Sequence, residues 1–175
     1  MTPREQEEYS ALRATIRERG TARVWLLTIG VMAWAGLALV AAALALPPVA
    51  ALLPLVTLAA TFEGVFALHV GVERIGRYLL VFHGDEWERT AGSFGRPRGA
   101  IALDALGAFV FVIAAFVNLI PLLLTVPIIQ ELIVVGTAHV LFIARVLMAR
   151  AAAARQREID TARFMQLKDE RSKQP

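Results

Sequence analysis

The sequence predicts an all-α, polytopic membrane protein with four transmembrane helices, arranged as two hairpins with cytoplasmic helical extensions. The 175 residues are 57% hydrophobic, with a mean hydropathy of +0.59, whereas soluble domains are usually about 45–50% apolar. Residues 24–62 carry no charged side chain, and neither do residues 105–130. Because about 20 apolar residues cross the hydrocarbon core of a bilayer, these runs indicate membrane spans.

Residues 1–22 are predicted to form a cytoplasmic amphipathic helix. Thr2 and Glu5 have the spacing of a capping box, and Pro3 suits the first helical position. Apolar residues then recur at helical spacing, as they do again near the C-terminus, so the two stripes are expected to pack together. The stripes are Tyr9, Leu12 and Ile16, and Ile159, Ala162 and Met165.

Prolines divide the apolar sequence into spans. Pro47 and Pro48 interrupt the first run, because a proline pair ends a helix. Pro121 and Pro127 bracket a second predicted turn. The predicted spans of this transmembrane bundle are residues 23–46, 49–75, 101–120 and 122–145.

Two further segments complete the predicted organisation. Residues 83–100 are rich in glycine and are expected to form an irregular cytoplasmic loop. Residues 146–175 are expected to form a cytoplasmic C-terminal helix that ends in a disordered tail from Asp169.

The basic residues predict the orientation. All 18 lysines and arginines lie at or before the start of span one, between the last residues of span two and the start of span three, or at or after the end of span four. Basic residues near span ends mark the cytoplasmic face, so both termini are expected inside a bacterial-type inner membrane. Acidic residues are interleaved with the basic ones, which argues against nucleic-acid binding. The absence of cysteine excludes disulfides, iron–sulfur clusters and thiolate zinc sites.

Small residues form a stripe on span two, at Ala60, Gly64, Ala67 and Gly71. Such stripes let helix backbones approach closely in lipid, so they predict helix packing. Two readings stay open: a tight hairpin within this chain, or a docking face for a larger membrane protein.

Three polar residues interrupt the apolar spans: Glu63, Asn118 and Glu131. A charge in the bilayer is costly, so both carboxylates are expected to face the bundle interior. Helical rise puts them within ~10 Å of each other in depth. They could share a proton, which would suit a proton or cation conductor. Alternatively, each is protonated and bonds to a nearby polar side chain, such as Thr61, Thr137 or Asn118.

His69 and His139 lie near the predicted cytoplasmic ends of spans two and four. Two histidines on different helices of a bundle can ligate haem iron from both sides. The arginines Arg74, Arg77 and Arg145 could then pair with the haem propionates. This hypothesis describes a b-type haem electron carrier. In the alternative, His69 bonds to Glu73 one helical turn away, and no cofactor is bound.

No catalytic signature is present, since the sequence lacks a phosphate loop, a nucleophile elbow and an HExxH pattern. The sequence therefore favours a non-catalytic role. We expect a structural or accessory subunit, embedded in the lipid bilayer and bound to a larger inner-membrane assembly or to copies of itself.

Overall fold

The computed structural model describes residues 2–84, 86–93, 107–124 and 127–173, and this part of the chain is almost entirely helical. The helices are α1 (Pro3–Ala43), α2 (Leu52–His83), α3 (Glu86–Ser93), α4 (Ala108–Leu124) and α5 (Ile129–Ser172). A short 3₁₀ turn, Pro48–Ala51, precedes α2. The predicted helical class is confirmed.

Among the residues that the structure describes, three helices are long and apolar enough to cross a membrane: α1, α2 together with its 3₁₀ turn, and α5. The chain therefore has the character of a membrane protein. Helix α4 has 17 residues, which rise about 26 Å against a hydrocarbon core of about 30 Å. The predicted third span begins at residue 101, and residues 101–106 lie outside the described part of the chain. Four spans in two hairpins therefore stay a prediction.

Helix α1 begins at the predicted capping box. The backbone N–H of Thr2 donates to Glu5 Oε2 at 2.6 Å, and the N–H of Glu5 donates to Thr2 Oγ1 at 3.3 Å. These reciprocal bonds satisfy two donors that a helix start would otherwise leave unpaired. The helix then continues to Ala43, so one helix includes both the predicted cytoplasmic segment and the apolar run.

Helix α1 ends in a Schellman motif just before the proline pair. The Leu46 N–H donates to the Ala41 carbonyl at 3.0 Å, and the Ala45 N–H donates to the Ala42 carbonyl at 3.1 Å. Ala45 takes a left-handed conformation, with φ 48°, at the position where glycine is usual. The 3₁₀ turn then begins at Pro48, which confirms the predicted break between the first two apolar helices.

Helix α4 ends later than predicted. It continues through Pro121 to Leu124, whereas the predicted boundary was residue 120. A proline removes one backbone donor, and membrane helices tolerate this when neighbouring groups satisfy the freed carbonyl. Pro127 follows the helix end instead, and α5 begins at Ile129.

The two segments predicted to be irregular are largely helical where the structure describes them. Helix α3 lies within the predicted loop, and residues 94–100 are outside the described part. The tail expected from Asp169 continues α5 to Ser172. Side-chain bonds from Arg163 to Gln166 (2.8 Å) and from Gln166 to Glu170 (3.0 Å) support this last part of the helix.

The chain divides into two compact units, which are described separately. The first comprises Met1–Ala22, Ala67–Leu103 and Ala151–Pro175. The second comprises Arg23–Phe66 and Asp104–Arg150. We call the first the charged unit, because it holds most of the charged residues, and the second the apolar unit.

An aromatic cluster lies at the centre of the core of the apolar unit. The Phe62 ring of α2 lies edge-on to Phe111 of α4, with centroids 5.2 Å apart, and to Phe142 of α5 at 6.3 Å. Leu58 and Val146 are buried around these rings. Because one side chain of α2 touches both other helices, burial of apolar surface joins the three.

The charged unit has an aromatic cluster of its own. Tyr78 lies 4.6 Å from Phe82 and 5.7 Å from Phe164 of α5, measured between ring centroids. Tyr9 of α1 packs on His83, with a centroid distance of 5.7 Å. These contacts bring the ends of α1, α2 and α5 together within this unit.

The predicted pairing of N-terminal and C-terminal stripes is wrong. Ile159 and Met165 are 61% and 55% exposed. Helix α5 instead turns Asp160 and Phe164 towards the rest of the charged unit. The Phe164 ring contact and the ion pairs of Asp160 therefore determine which side of α5 packs inward, and the aliphatic stripe of Ile159 and Met165 stays exposed.

Gly30 allows α1 to approach α2 closely within the apolar unit. An added Cβ at Gly30 would lie 2.7 Å from the Thr61 Cβ, whereas one at Gly36 of the same helix would meet nothing within 4 Å. We therefore expect Gly30→Ala to lower the free energy of unfolding by about 1–3 kcal/mol through overpacking. Gly36→Ala is the matched control, and its higher helix propensity should make it neutral or stabilising by up to about 1 kcal/mol. Denaturant unfolding in mixed micelles measures both, and equal effects would contradict the close approach.

Candidate functional site

A buried polar cluster lies in the apolar unit around Asn118 of α4. Its amide nitrogen donates to the Ala51 carbonyl at 2.9 Å and lies 3.0 Å from His139 Nε2. Its amide oxygen accepts a bond from Trp34 Nε1 at 3.4 Å. His139 Nδ1 lies 2.8 Å from the Val135 carbonyl.

These contacts determine the tautomer of His139. The Val135 carbonyl can only accept, so Nδ1 carries the proton, and Nε2 accepts from Asn118. Both amide hydrogens and the amide oxygen of Asn118 are therefore used. The cluster attaches α1, the 3₁₀ turn and α5 to α4, and its fully paired polar groups favour one register of these elements.

A second polar feature of the apolar unit is an ion pair between α2 and α5. Arg145 Nη2 donates to Glu63 Oε2 at 2.8 Å. The guanidinium carbon of Arg145 lies 5.2 Å from the Phe66 ring centroid and 5.9 Å from that of Phe62, which adds cation–π attraction. The two side chains are 40% and 49% exposed, so this pair lies at the surface of the unit.

Glu131 has a different role. It lies in the first turn of α5 and accepts a bond from the Ile128 backbone N–H at 3.4 Å. This is the reach-back contact of a capping box, and it places a negative charge where the helix dipole favours it.

The sequence suggested that Glu63 and Glu131 could form a carboxylate pair, but in the structure each has a different partner. Glu63 bonds to Arg145, which is separated from Glu131 by about 21 Å of rise along α5. An arginine compensates the charge of Glu63, which a second carboxylate would oppose. The prediction placed Glu131 nine residues into a span that began at residue 122, whereas α5 begins at Ile129, only two residues before it. Glu131 therefore lies nearer the end of its helix than predicted.

Two carboxylates organise the charged unit. The first is Glu73 of α2. Both of its oxygens accept from Arg157, with Nε to Oε2 at 2.9 Å, which forms a bidentate pair. Arg77 Nη1 also donates to Glu73 at 3.3 Å, and His69 Nε2 lies 3.5 Å from its other oxygen.

The second carboxylate is Asp160 of α5, which is only 8% exposed. It accepts from Arg77 Nη2 at 2.9 Å, from Arg74 Nε at 3.2 Å and from Gln156 Nε2 at 2.7 Å. Burial alone would raise the pKa of Asp160, but the bonds from Gln156 and the two arginines outweigh it and hold the pKa below its ordinary value. Because Arg77 touches both carboxylates, it joins them into one arrangement between α2 and α5.

The residues proposed for haem binding all have contacts within the protein. Arg74 and Arg77 pair with Asp160, and Arg145 pairs with Glu63. His69 lies beside Glu73, as the i+4 alternative predicts. His139 belongs to the other unit and bonds to Asn118 through the nitrogen that would ligate iron. The haem hypothesis stays a prediction.

The small-residue stripe of α2 is divided between two environments. An added Cβ would lie 2.5 Å from Leu26 at Gly64, and 2.6 Å from the Arg19 guanidinium at Gly71. Both glycines therefore contact α1, within the apolar and the charged unit respectively. Ala60 and Ala67 are exposed.

Sequence reasoning missed the roles of Gly30, Arg157 and Asp160. The last two belong to a row on α5 at helical spacing, formed by Gln156, Arg157, Asp160 and Phe164. A polar row that includes a large aromatic residue could have indicated a packed face. Gly30 gave no comparable signal, because no small residue follows it at seven-residue spacing on the same helix.

Within the part of the chain that the structure describes, no group of three or more His, Asp and Glu side chains is placed to hold a metal ion. The chain matches no protein-family model, and comparison with curated proteins and with solved structures finds no significant match. Function is therefore inferred from the side chains themselves.

Proposed function

We propose that this chain is a non-catalytic integral membrane protein, which serves as a structural subunit of a membrane assembly formed with other membrane proteins or with copies of itself. One observation carries this proposal: the polar side chains within the helices bond to each other between helices. Asn118 bonds to His139, Glu63 to Arg145, and Glu73 to Arg157. Polar groups used in this way fix helix packing, whereas a catalytic group must be presented to a substrate.

Exposed apolar side chains in the charged unit also support a partner. Ile159 and Met165 lie far beyond the apolar run of α5, among charged residues, and most of each side chain is exposed. Outside the hydrocarbon core, such residues favour contact with protein over contact with water.

The proposed setting is the cytoplasmic membrane of a bacterial-type cell, with four spans and with both termini in the cytoplasm. The distribution of the 18 basic residues supports this orientation, since none falls within the two predicted hairpin turns.

The proposal predicts the mass of the extracted particle. After extraction in lipid nanodiscs without detergent, native mass spectrometry should find a protein mass clearly above the 19.1 kDa of one chain, and twice that mass or more if the partner is another copy. The same mass should persist when expression is lowered tenfold, because a specific assembly keeps its composition. A particle that contains one chain alone at both expression levels would contradict the proposed function.

A further inference from the structure

The ion pair between Glu63 and Arg145 lies at a depth where lipid would normally surround the helices. Glu63 is about 22 Å of helical rise from the start of the 3₁₀ turn at Pro48, and Arg145 is about 24 Å from the start of α5. The hydrocarbon core of a bilayer is about 30 Å thick. If these helices begin at one edge of that core, both charged groups lie inside it, about 6–8 Å from the other edge.

Neither side chain extends its charged end out of the hydrocarbon core towards water. Arg145 is held sideways by Glu63 and by the faces of Phe62 and Phe66, so its guanidinium does not extend along the helix towards water. Glu63 is too short to extend that far. Both groups nevertheless keep 40–49% of their side-chain surface exposed. Ionised groups are costly in hydrocarbon, so this surface is unsuited to lipid.

Exposed residues continue from the ion pair along both helices. On α2, Leu53, Val56 and Ala60 lead to Glu63 at spacings of three and four residues. On α5, Val134, Leu141 and Met148 recur every seven residues around Arg145. Rows of this period are typical of helices that pack against other helices. Together with the ion pair they form one surface of the apolar unit, which we call the α2–α5 face.

We propose that the α2–α5 face binds a second copy of this chain, so that Arg145 of each copy also contacts Glu63 of the other. The face carries one cation and one anion side by side. A two-fold axis through it sets each charge opposite its complement, and the four charges alternate in sign. The face is therefore complementary to itself. This inference rests on the proposed function and specifies the partner and the surface.

An anionic lipid headgroup fits the face less well. Its phosphate would approach the positive charge of Arg145 but would also meet the carboxylate of Glu63, which is 2.8 Å from the guanidinium. Phosphates also lie outside the hydrocarbon core, whereas both side chains start inside it. A second copy supplies both signs of charge at the required depth, and the small side chain of Ala60 leaves room for close approach.

A charge exchange within each copy tests the proposal without breaking its own ion pair. The double variant Glu63→Arg, Arg145→Glu keeps one cation and one anion between α2 and α5. Two such copies remain complementary to each other, as two native copies are. In a mixed pair of native and exchanged copies, however, like charges face each other at both contacts. The mixed pair should therefore associate less than the two matched pairs only if the face of one copy contacts the face of the other.

The measurement is energy transfer between labelled copies in lipid vesicles. The chain contains no cysteine, so Ser172→Cys at the end of α5 takes a single donor or acceptor dye. We expect strong transfer for native with native and for exchanged with exchanged, and at least fivefold less for native with exchanged. Equal transfer in all three combinations would overturn the proposal. The control is Glu131→Gln, which changes a carboxylate of the apolar unit outside the α2–α5 face and should mix freely with the native chain.

A second pair of variants covers the case in which the exchanged chain fails to fold. Copies with Glu63→Gln should not associate with each other, and neither should copies with Arg145→Gln. One of each can still form a single contact between copies, so the mixture should recover at least threefold more transfer than either variant alone. No recovery would count against the face.

The outcomes separate this inference from the proposed function. Absence of transfer between native copies, together with a particle of one chain, would remove both. Transfer between native copies that ignores the charges, or a heavy particle that contains one copy and other proteins, would remove the α2–α5 face and leave the proposed function standing. A single copy that retains bound anionic lipid would identify a lipid site in its place.

Discussion

Replacing Asp160 with alanine should lower the free energy of unfolding by about 3 kcal/mol, because it removes the nearer of the two carboxylates that compensate a buried guanidinium. The Arg77 side chain is only 13% exposed, and its 2.9 Å contact to Asp160 is the shorter of its two carboxylate contacts. After the substitution, only the 3.3 Å contact to Glu73 compensates the guanidinium. Arg74 and Gln156 lose their bonds to the same carboxylate.

Unfolding in mixed micelles, followed by circular dichroism, measures this loss. The matched control is Asp169→Ala, which removes an exposed carboxylate from the same helix and should change stability by no more than about 0.5 kcal/mol. Similar losses for the two variants would show that Asp160 contributes nothing beyond ordinary helix electrostatics.

Acid should remove the same contribution from the native chain. The pKa of Asp160 is lower in the folded protein than its ordinary value of 3.8. Protons therefore bind more tightly to the unfolded chain. The stabilisation is fully present above that value and is lost as the pH falls through the lower, folded pKa. The stability of Asp160→Asn should lack this component of the acid dependence.

Replacing Asn118 with leucine should lower the free energy of unfolding by about 2 kcal/mol. Hydrogen bonds between membrane helices contribute about 0.6 kcal/mol on average, with a maximum of about 1.7 kcal/mol. Asn118 makes three such contacts, to Ala51, His139 and Trp34. The exposed neighbour Val117 provides the control, since Val117→Leu keeps all three bonds and should be close to neutral.

A double-mutant cycle with His139→Leu sharpens this prediction. Each single variant leaves a buried partner without its bond, whereas the double variant removes both partners of the 3.0 Å contact. The double variant should therefore cost less than the sum of the two single variants. Strict additivity, measured by the same unfolding experiment, would contradict a direct bond between Asn118 and His139.

Local features of this fold were predictable because their causes are local. The Thr2 and Glu5 side chains cap a helix whose start they define, and Pro47 and Pro48 lie in the break between α1 and α2, since two consecutive prolines remove two of the backbone donors that a continuing helix needs. The helical class also follows from composition, since hydrocarbon requires every backbone group to be bonded within the segment.

The partners of the polar residues were not predictable in the same way. A sequence gives the depth of Glu63 along α2 but not the rotation of that helix relative to α5, and this rotation determines that Arg145 is its partner. The inward-facing position of Asp160 was not predicted, for a related reason. Among alternating charges on an apparently solvated helix, nothing local distinguishes the one carboxylate that is turned inward.

The polar contacts between α2 and α5 have a consequence for synthesis of the chain. Glu63 and Arg145 are 82 residues apart, Glu73 and Arg157 are 84, and Arg74 and Asp160 are 86. At about 5–20 residues per second, translation needs roughly 4–17 s to cover such a distance. During that time α2 already exists, while its partners on α5, namely Arg145, Arg157 and Asp160, have not been made. The nascent chain therefore carries Glu63 without its Arg145 partner until the last helix is made, whereas Glu73 and Arg77 can pair within α2 from the start.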